Sequence, residues 1–199
     1  MKNRILCLLI MLGIGMQANA TVISFSPSES NVGIGNQTSV DLVISGLGAD
    51  IVTGFDLFVL YDDTLLQFDG FEFGSDCGGF SCLDVLGFGS LEDVTDWGFG
   101  EVEVFELSFD FDEDLELFQP NAFTLGTFTF TGLESGISAL DLSFGLLAGA
   151  FDDNTGFPTD LAFDFEAGSI KVPEPATWLL LMSGLLGLRM MGRRRAVCA

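Results

Sequence analysis

Residues 101–111 read EVEVFELSFDF, an alternation of apolar and mostly acidic side chains. A period of two is typical of a β-strand that buries one face. Val102 and Val104 share a face, the phase slips at Phe105, and Leu107 and the following phenylalanines resume it. One extra residue that shifts the alternation indicates a β-bulge. The face opposite the apolar side chains then carries Glu101, Glu103, Glu106, Ser108 and Asp110.

Similar segments recur about every ten residues between positions 21 and 171, and helix signals are scarce. Residues 52–61 have apolar side chains on both faces, which favours a central strand covered on each side. Residues 123–131 repeat the phase change around Gly126, with threonines on the other face. The 21 phenylalanines and single tyrosine indicate a core of rings without polar groups. Evenly spaced strands and glycine turns predict one all-β sandwich.

The N-terminus has the organisation of a secretory signal peptide over residues 1–20. Lys2 and Arg4 precede an apolar run at residues 5–16, and a small-x-small site follows. We therefore expect export and a folded body at residues 21–171, with a permanent N-terminal membrane helix as the alternative. The predicted cleavage-site residues are Ala18, Ala20 and Thr21.

Three features follow one another at the C-terminus. Residues 172–175 form an extended Val-Pro-Glu-Pro element, because its prolines remove backbone donors. Residues 176–192 reach the lower end of the roughly 17–25 residues that span a bilayer, provided that Arg189 extends to the interface. The basic tail, residues 193–199, belongs on the cytoplasmic side. The motif residues are Val172, Pro173, Glu174 and Pro175.

This order of features resembles the PEP-CTERM sorting signal of Gram-negative bacteria, over residues 172–199. The resemblance implies recognition by an exosortase, a membrane processing enzyme, and cleavage near Pro173–Pro175. It also implies transient anchoring in the inner membrane through a C-terminal transmembrane helix, followed by delivery to the cell surface or outside the cell. An ordinary single-pass anchor is the alternative interpretation.

The body is strongly acidic. All of the 29 acidic residues except Glu174 lie in it, and its single basic residue is Lys171. Such a surface repels nucleic acid and anionic membranes, so we expect no nucleic-acid partner.

Two cysteines, Cys77 and Cys82, flank a Gly-Gly turn within this exported body. That spacing and compartment predict a local disulfide that fixes a surface turn. A metal site is the alternative.

The residue types disfavour catalysis. The chain has no histidine, which excludes the commonest general base and most zinc sites. Two carboxylates could hydrolyse a glycosidic bond. However, the acids occur in runs such as residues 110–116, which we interpret as solvated loops. We predict a protein that is not an enzyme and has no catalytic residues or obligatory cofactor, with a carboxylate-dependent glycoside hydrolase as an alternative.

Calcium is the one cofactor with candidate ligands, because hard cations bind clustered oxygen atoms. Asp62-Asp63, residues 110–116 and residues 152–154 each place several carboxylates on an expected loop. A solvated acidic loop is the alternative in each case. The first candidates for a structural Ca²⁺ are Asp152, Asp153 and Asn154.

The body resembles a cohesin-like domain. Residues 40–44, 52–62 and 65–68 are similar to its first half, and residues 125–130 and 136–142 to its second half. The resemblance implies a jelly-roll-like β-sandwich of about nine strands and non-catalytic binding, whereas the partner does not transfer with the fold.

Together these features predict an exported cell-surface or matrix protein that acts in adhesion or scaffolding in an exopolysaccharide or biofilm layer. Its partners would be the exosortase, then an exopolysaccharide or a surface protein. The alternative is a binding protein that stays anchored in the inner membrane and faces the periplasm.

Overall fold

The computed structural model describes residues 20–152 and 154–174. This part of the chain forms twelve strands and one short helix, so the expectation of about nine strands was too low. The elements are β1 (Thr21–Ser26), β2 (Glu29–Asn31), β3 (Gln37–Ser45), β4 (Gly54–Leu60), β5 (Leu66–Phe73), β6 (Ser90–Gly98), β7 (Glu101–Ser108), α1 (Asp112–Phe118), β8 (Ala122–Gly132), β9 (Gly136–Phe151), β10 (Pro158–Asp160), β11 (Phe163–Glu166) and β12 (Gly168–Val172).

The strands form two sheets that enclose one apolar core, which confirms the predicted all-β sandwich. The smaller sheet has the order β11-β1-β3-β8-β5. The larger sheet has the order β2-β12-β9-β4-β7-β6, and β10 pairs with β9. Strands β1 and β12, at the two ends of the described chain, each gain a parallel partner, β11 and β2 respectively. Both ends of the body are therefore hydrogen-bonded into the sheets.

The core is rich in phenylalanine, although the rings are divided between the inside and the surface. The ring of Phe128 lies 4.6 Å from that of Phe71 and about 6 Å from those of Phe25, Phe68 and Phe130. Nine other phenylalanines of the described residues are exposed. The ring-built core is therefore confirmed only in part, because many of the rings lie on the surface.

Strand β8 shows the phase change predicted at Gly126. Its register against β3 shifts between Leu42 and Val43, where Leu125 is the extra residue. A side chain at position 126 would overlap the ring of Phe71, so the close approach of β5 requires glycine there.

The predicted β-bulge at Phe105 is wrong. Strand β7 keeps its register with both neighbours through this position and alternates between buried and partly exposed residues over its whole length. Its inward side chains are Val102, Val104, Glu106 and Ser108, and Asp110 is buried just beyond its end. The strand therefore resolves the phase slip by placing acidic and hydroxyl groups inside and apolar groups outside.

Two further expectations need correction. Strand β4 is central, between β9 and β7, as predicted, but its outer face is uncovered: Phe58 is half-buried and Leu60 is exposed. The acidic run at residues 110–116 is not a loop, because most of it forms α1. Three acids in the first turn stabilise the N-terminus of a helix, and burial of Leu115 fixes that helix to the body.

No helix within residues 20–152 and 154–174 is both long and apolar enough to cross a membrane. The predicted signal peptide up to residue 19 and the predicted membrane run and basic tail at residues 176–199 lie outside the described residues.

Candidate functional site

The residues predicted for sorting lie at the two ends of the body. Thr21 opens β1 next to an exposed Ala20, whereas Ala18 lies outside the described residues. Val172 is buried as the last residue of β12, and Pro173 and Glu174 are exposed beyond it. Pro175 also lies outside the described residues.

The disulfide loop, residues 74–89, carries a bond between Cys77 and Cys82. The Gln119 side chain ties this loop to the core. Its Nε2 donates to the carbonyl oxygens of Val52 and Cys82, both at 2.9 Å, and its Oε1 accepts from the backbone of Val52 at 2.8 Å. One amide side chain thus connects the loop, the start of β4 and the end of α1.

Among the first candidates for calcium binding, Asp152 and Asn154 hydrogen-bond to each other within one turn. Asp152 Oδ1 accepts hydrogen bonds from the backbone and side-chain nitrogens of Asn154, at 2.8 and 2.9 Å. These bonds lower the pKa of Asp152. Asp153 lies outside the described residues. Among the residues that are described, no three acidic or cysteine side chains converge as metal ligands would.

The outer face of the larger sheet is unusually apolar across β9, β4, β7 and β6. We call this surface the apolar face. Its half-buried members are Phe58, Phe105 and Leu107, and its exposed members are Leu60, Leu91, Trp97, Phe144 and Leu146. The rings of Phe58 and Phe144 pack edge to face, with centroids 5.8 Å apart. A contiguous apolar surface of this kind is typical of an interaction site.

Acidic groups are interspersed on the apolar face. Trp97 Nε1 donates to Glu103 Oε2 at 2.8 Å, and Ser143 Oγ donates to Glu101 Oε1 at 2.6 Å. Asp56 Oδ1 is buried between its neighbours without a hydrogen-bond partner. Burial, and then the charge of Glu103, raise the pKa of Asp56. The face therefore contains a buried carboxylate oxygen whose hydrogen-bonding capacity is not satisfied within the described residues.

The outer face of the smaller sheet, which we call the polar face, is different. Its threonines pair with acidic side chains of the same face: Thr127 Oγ1 donates to Asp41 at 2.7 Å, and Thr131 Oγ1 donates to Asp69 at 2.6 Å. These groups satisfy one another, which is expected of a solvated sheet surface.

A second unusual site lies inside the sandwich at Glu106, which is fully buried. Ser90 Oγ donates to its Oε1 at 2.9 Å, and its Oε2 has no hydrogen-bond partner. Burial is the main cause that raises the pKa of Glu106 to about 7. The charges of Glu92 and Asp84 add to this effect, and the hydroxyl groups of Ser81 and Ser90 oppose it. Glu106 is therefore close to its titration midpoint at neutral pH.

Sequence reasoning placed Glu106 on the face opposite the apolar side chains and so missed this site. The one signal in the sequence was the phase slip at Phe105, which a bulge or an inward acid explains equally well.

The comparisons with known proteins separate the tail from the body. Residues 171–195 match the PEP-CTERM protein-sorting motif. No curated protein is similar enough in sequence to match the chain.

Several solved structures similar to the body are cohesins. The seventh ScaB type I cohesin from Pseudobacteroides cellulosolvens is 16% identical, with 79% of this chain and 94% of that chain covered and a TM-score of 0.57. A type II cohesin domain from the cellulosome of Acetivibrio cellulolyticus is 14% identical, with 76% and 95% covered and a TM-score of 0.58.

The sixth cohesin of scaffoldin B from Acetivibrio cellulolyticus, solved in complex with a mutant Cel5 dockerin, is 15% identical, with 77% and 99% covered and a TM-score of 0.56. At these identities the likeness shows the fold. The chain is thus a β-sandwich with a cohesin-like fold, followed by a PEP-CTERM sorting motif.

Proposed function

We propose that this chain is an exported, non-catalytic binding protein that an exosortase delivers to the cell surface or the extracellular matrix, where its apolar face holds another surface protein. The PEP-CTERM motif at residues 171–195 supports export and exosortase processing. A cohesin-like fold supports a binding role, since the similar Acetivibrio cohesin was solved bound to a dockerin. Adhesion or scaffolding in an exopolysaccharide layer is the role that joins these two features.

The observation that carries the binding role is the combination of exposed apolar groups with the buried, unpartnered Asp56 Oδ1 on one sheet face. Apolar burial stabilises a complex by roughly 25 cal/mol per Å² before the costs of association. The acidic groups among these side chains favour a partner that brings lysine or arginine beside its own apolar groups. A surface protein fits this face better than a polysaccharide, because Leu60, Leu91 and Leu146 are aliphatic.

The sorting step is tested by the intact mass and location of the protein in cells with and without the exosortase. We expect a chain that starts at Thr21, ends near Pro175 and lies outside the inner membrane. Without the exosortase, the chain should stay in the membrane and keep Arg193–Arg195. If these arginines survive in both strains, the tail is a plain anchor. The periplasm-facing alternative would then be the better account.

The binding step is tested separately with Leu91→Ser/Phe144→Ser, both exposed on the apolar face. The matched control is Thr129→Ala, on the polar face. We expect the apolar-face variant to be exported and processed normally but to be lost from the matrix fraction, whereas the control is retained. Equal retention of both variants would remove the apolar face from the proposed function.

A further inference from the structure

A cleft opens at one side of the sandwich between β5 and β6, which end the two sheets. Its volume is about 560 Å³, and residues of the disulfide loop form part of its wall. We call it the acidic cleft. Its apolar lining is Phe71, Phe73 and Phe80, and its charged lining is Glu72, Asp84 and Glu92. It lies on a different surface from the apolar face and has a different chemistry.

The fully buried carboxyl group of Glu106 lies directly behind this lining. Ser90, which lines the cleft, donates to Glu106 Oε1, and Oε2 has no partner. Asp84 is more than nine-tenths buried, and its Oδ1 accepts from the backbone of Gly89 at 2.9 Å. A buried carboxylate without a compensating donor or cation is destabilising. The hydroxyl groups of Ser81 and Ser90 stabilise the ionised form of Glu106 only in part, because burial still raises its pKa to about 7. A positive charge in the cleft would stabilise that form further.

No positive side chain of the described residues supplies that charge. Lys171 is their single basic residue, and it lies on β12, with three strands of the sheet between it and β6. The ionisable groups that face Glu106 are Glu92 from β6 and Asp84 from the disulfide loop, and both are acidic. A cation that stabilises the ionised form of Glu106 would therefore come from outside this part of the chain.

The lining favours an organic cation over a metal ion. No three acidic side chains of the described residues converge as metal ligands would. Three phenylalanine side chains can instead cover an aliphatic chain and contact an ammonium group through their ring faces. The two ends of such a molecule would be matched by the separate carboxylates of the cleft.

We propose that the acidic cleft binds a small aliphatic diamine, with one ammonium group beside Asp84, in front of the buried Glu106, and the carbon chain against the phenylalanines. A bound ammonium group favours the ionised form of Glu106, so binding near neutral pH releases a proton. Because the pKa of Glu106 is about 7, affinity rises about tenfold between pH 6 and pH 8 and then levels off.

The test is calorimetric titration of the exported protein with 1,5-diaminopentane at constant ionic strength and several pH values. In buffers of different ionisation enthalpy, we expect one diamine per chain and release of about half a proton at pH 7. Glu106→Gln should remove the proton release and the pH dependence. Glu103→Gln, on the outside of the same strand, should keep both.

Glu92→Gln provides a second variant at an exposed position where folding is not at risk, and it should weaken binding at least about threefold. Weak, pH-independent binding that is equal in all variants would mean simple screening of an acidic surface and would overturn the proposal. Saturable calcium binding that the diamine does not displace would also overturn it, in favour of a metal site. Neither result bears on exosortase processing or on the apolar face.

Discussion

Strand β7 has two halves of opposite polarity. In the first half, Val102 and Val104 are buried, and Glu101 and Glu103 lie on the outer face. In the second half, the buried side chains are Glu106 and Ser108, and the outer ones are Phe105 and Leu107. The register with β4 is regular across both halves, and the register with β6 is regular from Val102 onward, with one shift between Asp96 and Gly98.

The difference shows that strand geometry fixes which side chains lie on the same side of β7. The neighbouring strands and loops decide whether polar or apolar side chains are stable on that side. Val104 lies between Leu57 of β4 and Val94 of β6 in an apolar environment. Glu106 meets Ser90 and lies under the disulfide loop. The inversion produces both candidate sites, because it puts an acid behind the cleft and two apolar side chains on the apolar face.

The largest effect on the free energy of unfolding is expected from placing an acidic side chain inside the first half of β7. Val104→Glu buries a carboxylate beside Leu57 and Val94, in the apolar core. We expect the free energy of unfolding to fall by about 3–5 kcal/mol, measured by urea unfolding of the exported protein. Glu103→Gln, one residue away on the outer face, should change it by less than about 0.5 kcal/mol. A cost below about 1 kcal/mol for Val104→Glu would mean that the two halves accept acids equally.

The second prediction concerns the pH dependence caused by Glu106. Because its pKa is raised from 4.5 to about 7 in the folded state, the folded chain binds more protons between these pH values than the unfolded chain does. The contribution of this group to stability is full below pH 4.5 and is lost as the pH rises through about 7. The free energy of unfolding of Glu106→Gln, relative to that of the wild type, should therefore increase by about 3 kcal/mol between pH 4 and pH 8.

This difference is measured by urea unfolding of both proteins across the pH range, with Glu103→Gln as the matched control. If the difference in free energy of unfolding between Glu106→Gln and the wild type does not change with pH, Glu106 titrates normally and the second half of β7 is solvated.

The third prediction concerns the disulfide loop, which covers the second half of β7. The double substitution Cys77→Ala/Cys82→Ala removes a disulfide between residues separated by 5 positions. The chain-entropy relation predicts that the free energy of unfolding falls by about 2 kcal/mol. If the loop keeps water from Glu106, the pH-dependent difference of the previous experiment should shrink in this background. An unchanged difference would show that β6 alone provides the cover.

The smallest effect is expected on the outer side of the second half. Phe105 is half-buried there, so Phe105→Ser should lower the free energy of unfolding by only about 1 kcal/mol. It should also reduce the binding of a hydrophobic fluorescent dye, and Thr129→Ala on the polar face should not. A cost as large as that of Val104→Glu would mean that the outer side of β7 is a second core.

Several features of the body follow from local sequence alone. Apolar alternation in β3, β4 and β8 predicted strands, and the phase change at Gly126 predicted the register shift in β8. Each of these depends on neighbouring residues of one strand. The helix α1 was missed because its acidic composition is equally typical of a solvated loop, and burial of Leu115 against the body, which distinguishes the helix from a loop, is a tertiary contact.

The sites were harder to predict than the strands. Residues 52–61 have apolar groups on both sides, and a covered strand and an exposed binding face give the same pattern. The acidic cleft combines the disulfide loop, β5, β6 and β7, which are distant in the sequence. No local pattern carries such a combination.

The sequence by itself determined the sandwich class, the acidity of the body and the order of features that matches a sorting motif at residues 171–195. These properties depend on composition and on short-range periodicity. Tertiary structure alone decided that Glu106 lies inside and Phe105 outside. The physical reason is that alternation sets only the relative sides of a strand, whereas burial of a carboxyl group depends on the hydroxyl groups, loop and neighbouring strand that surround it.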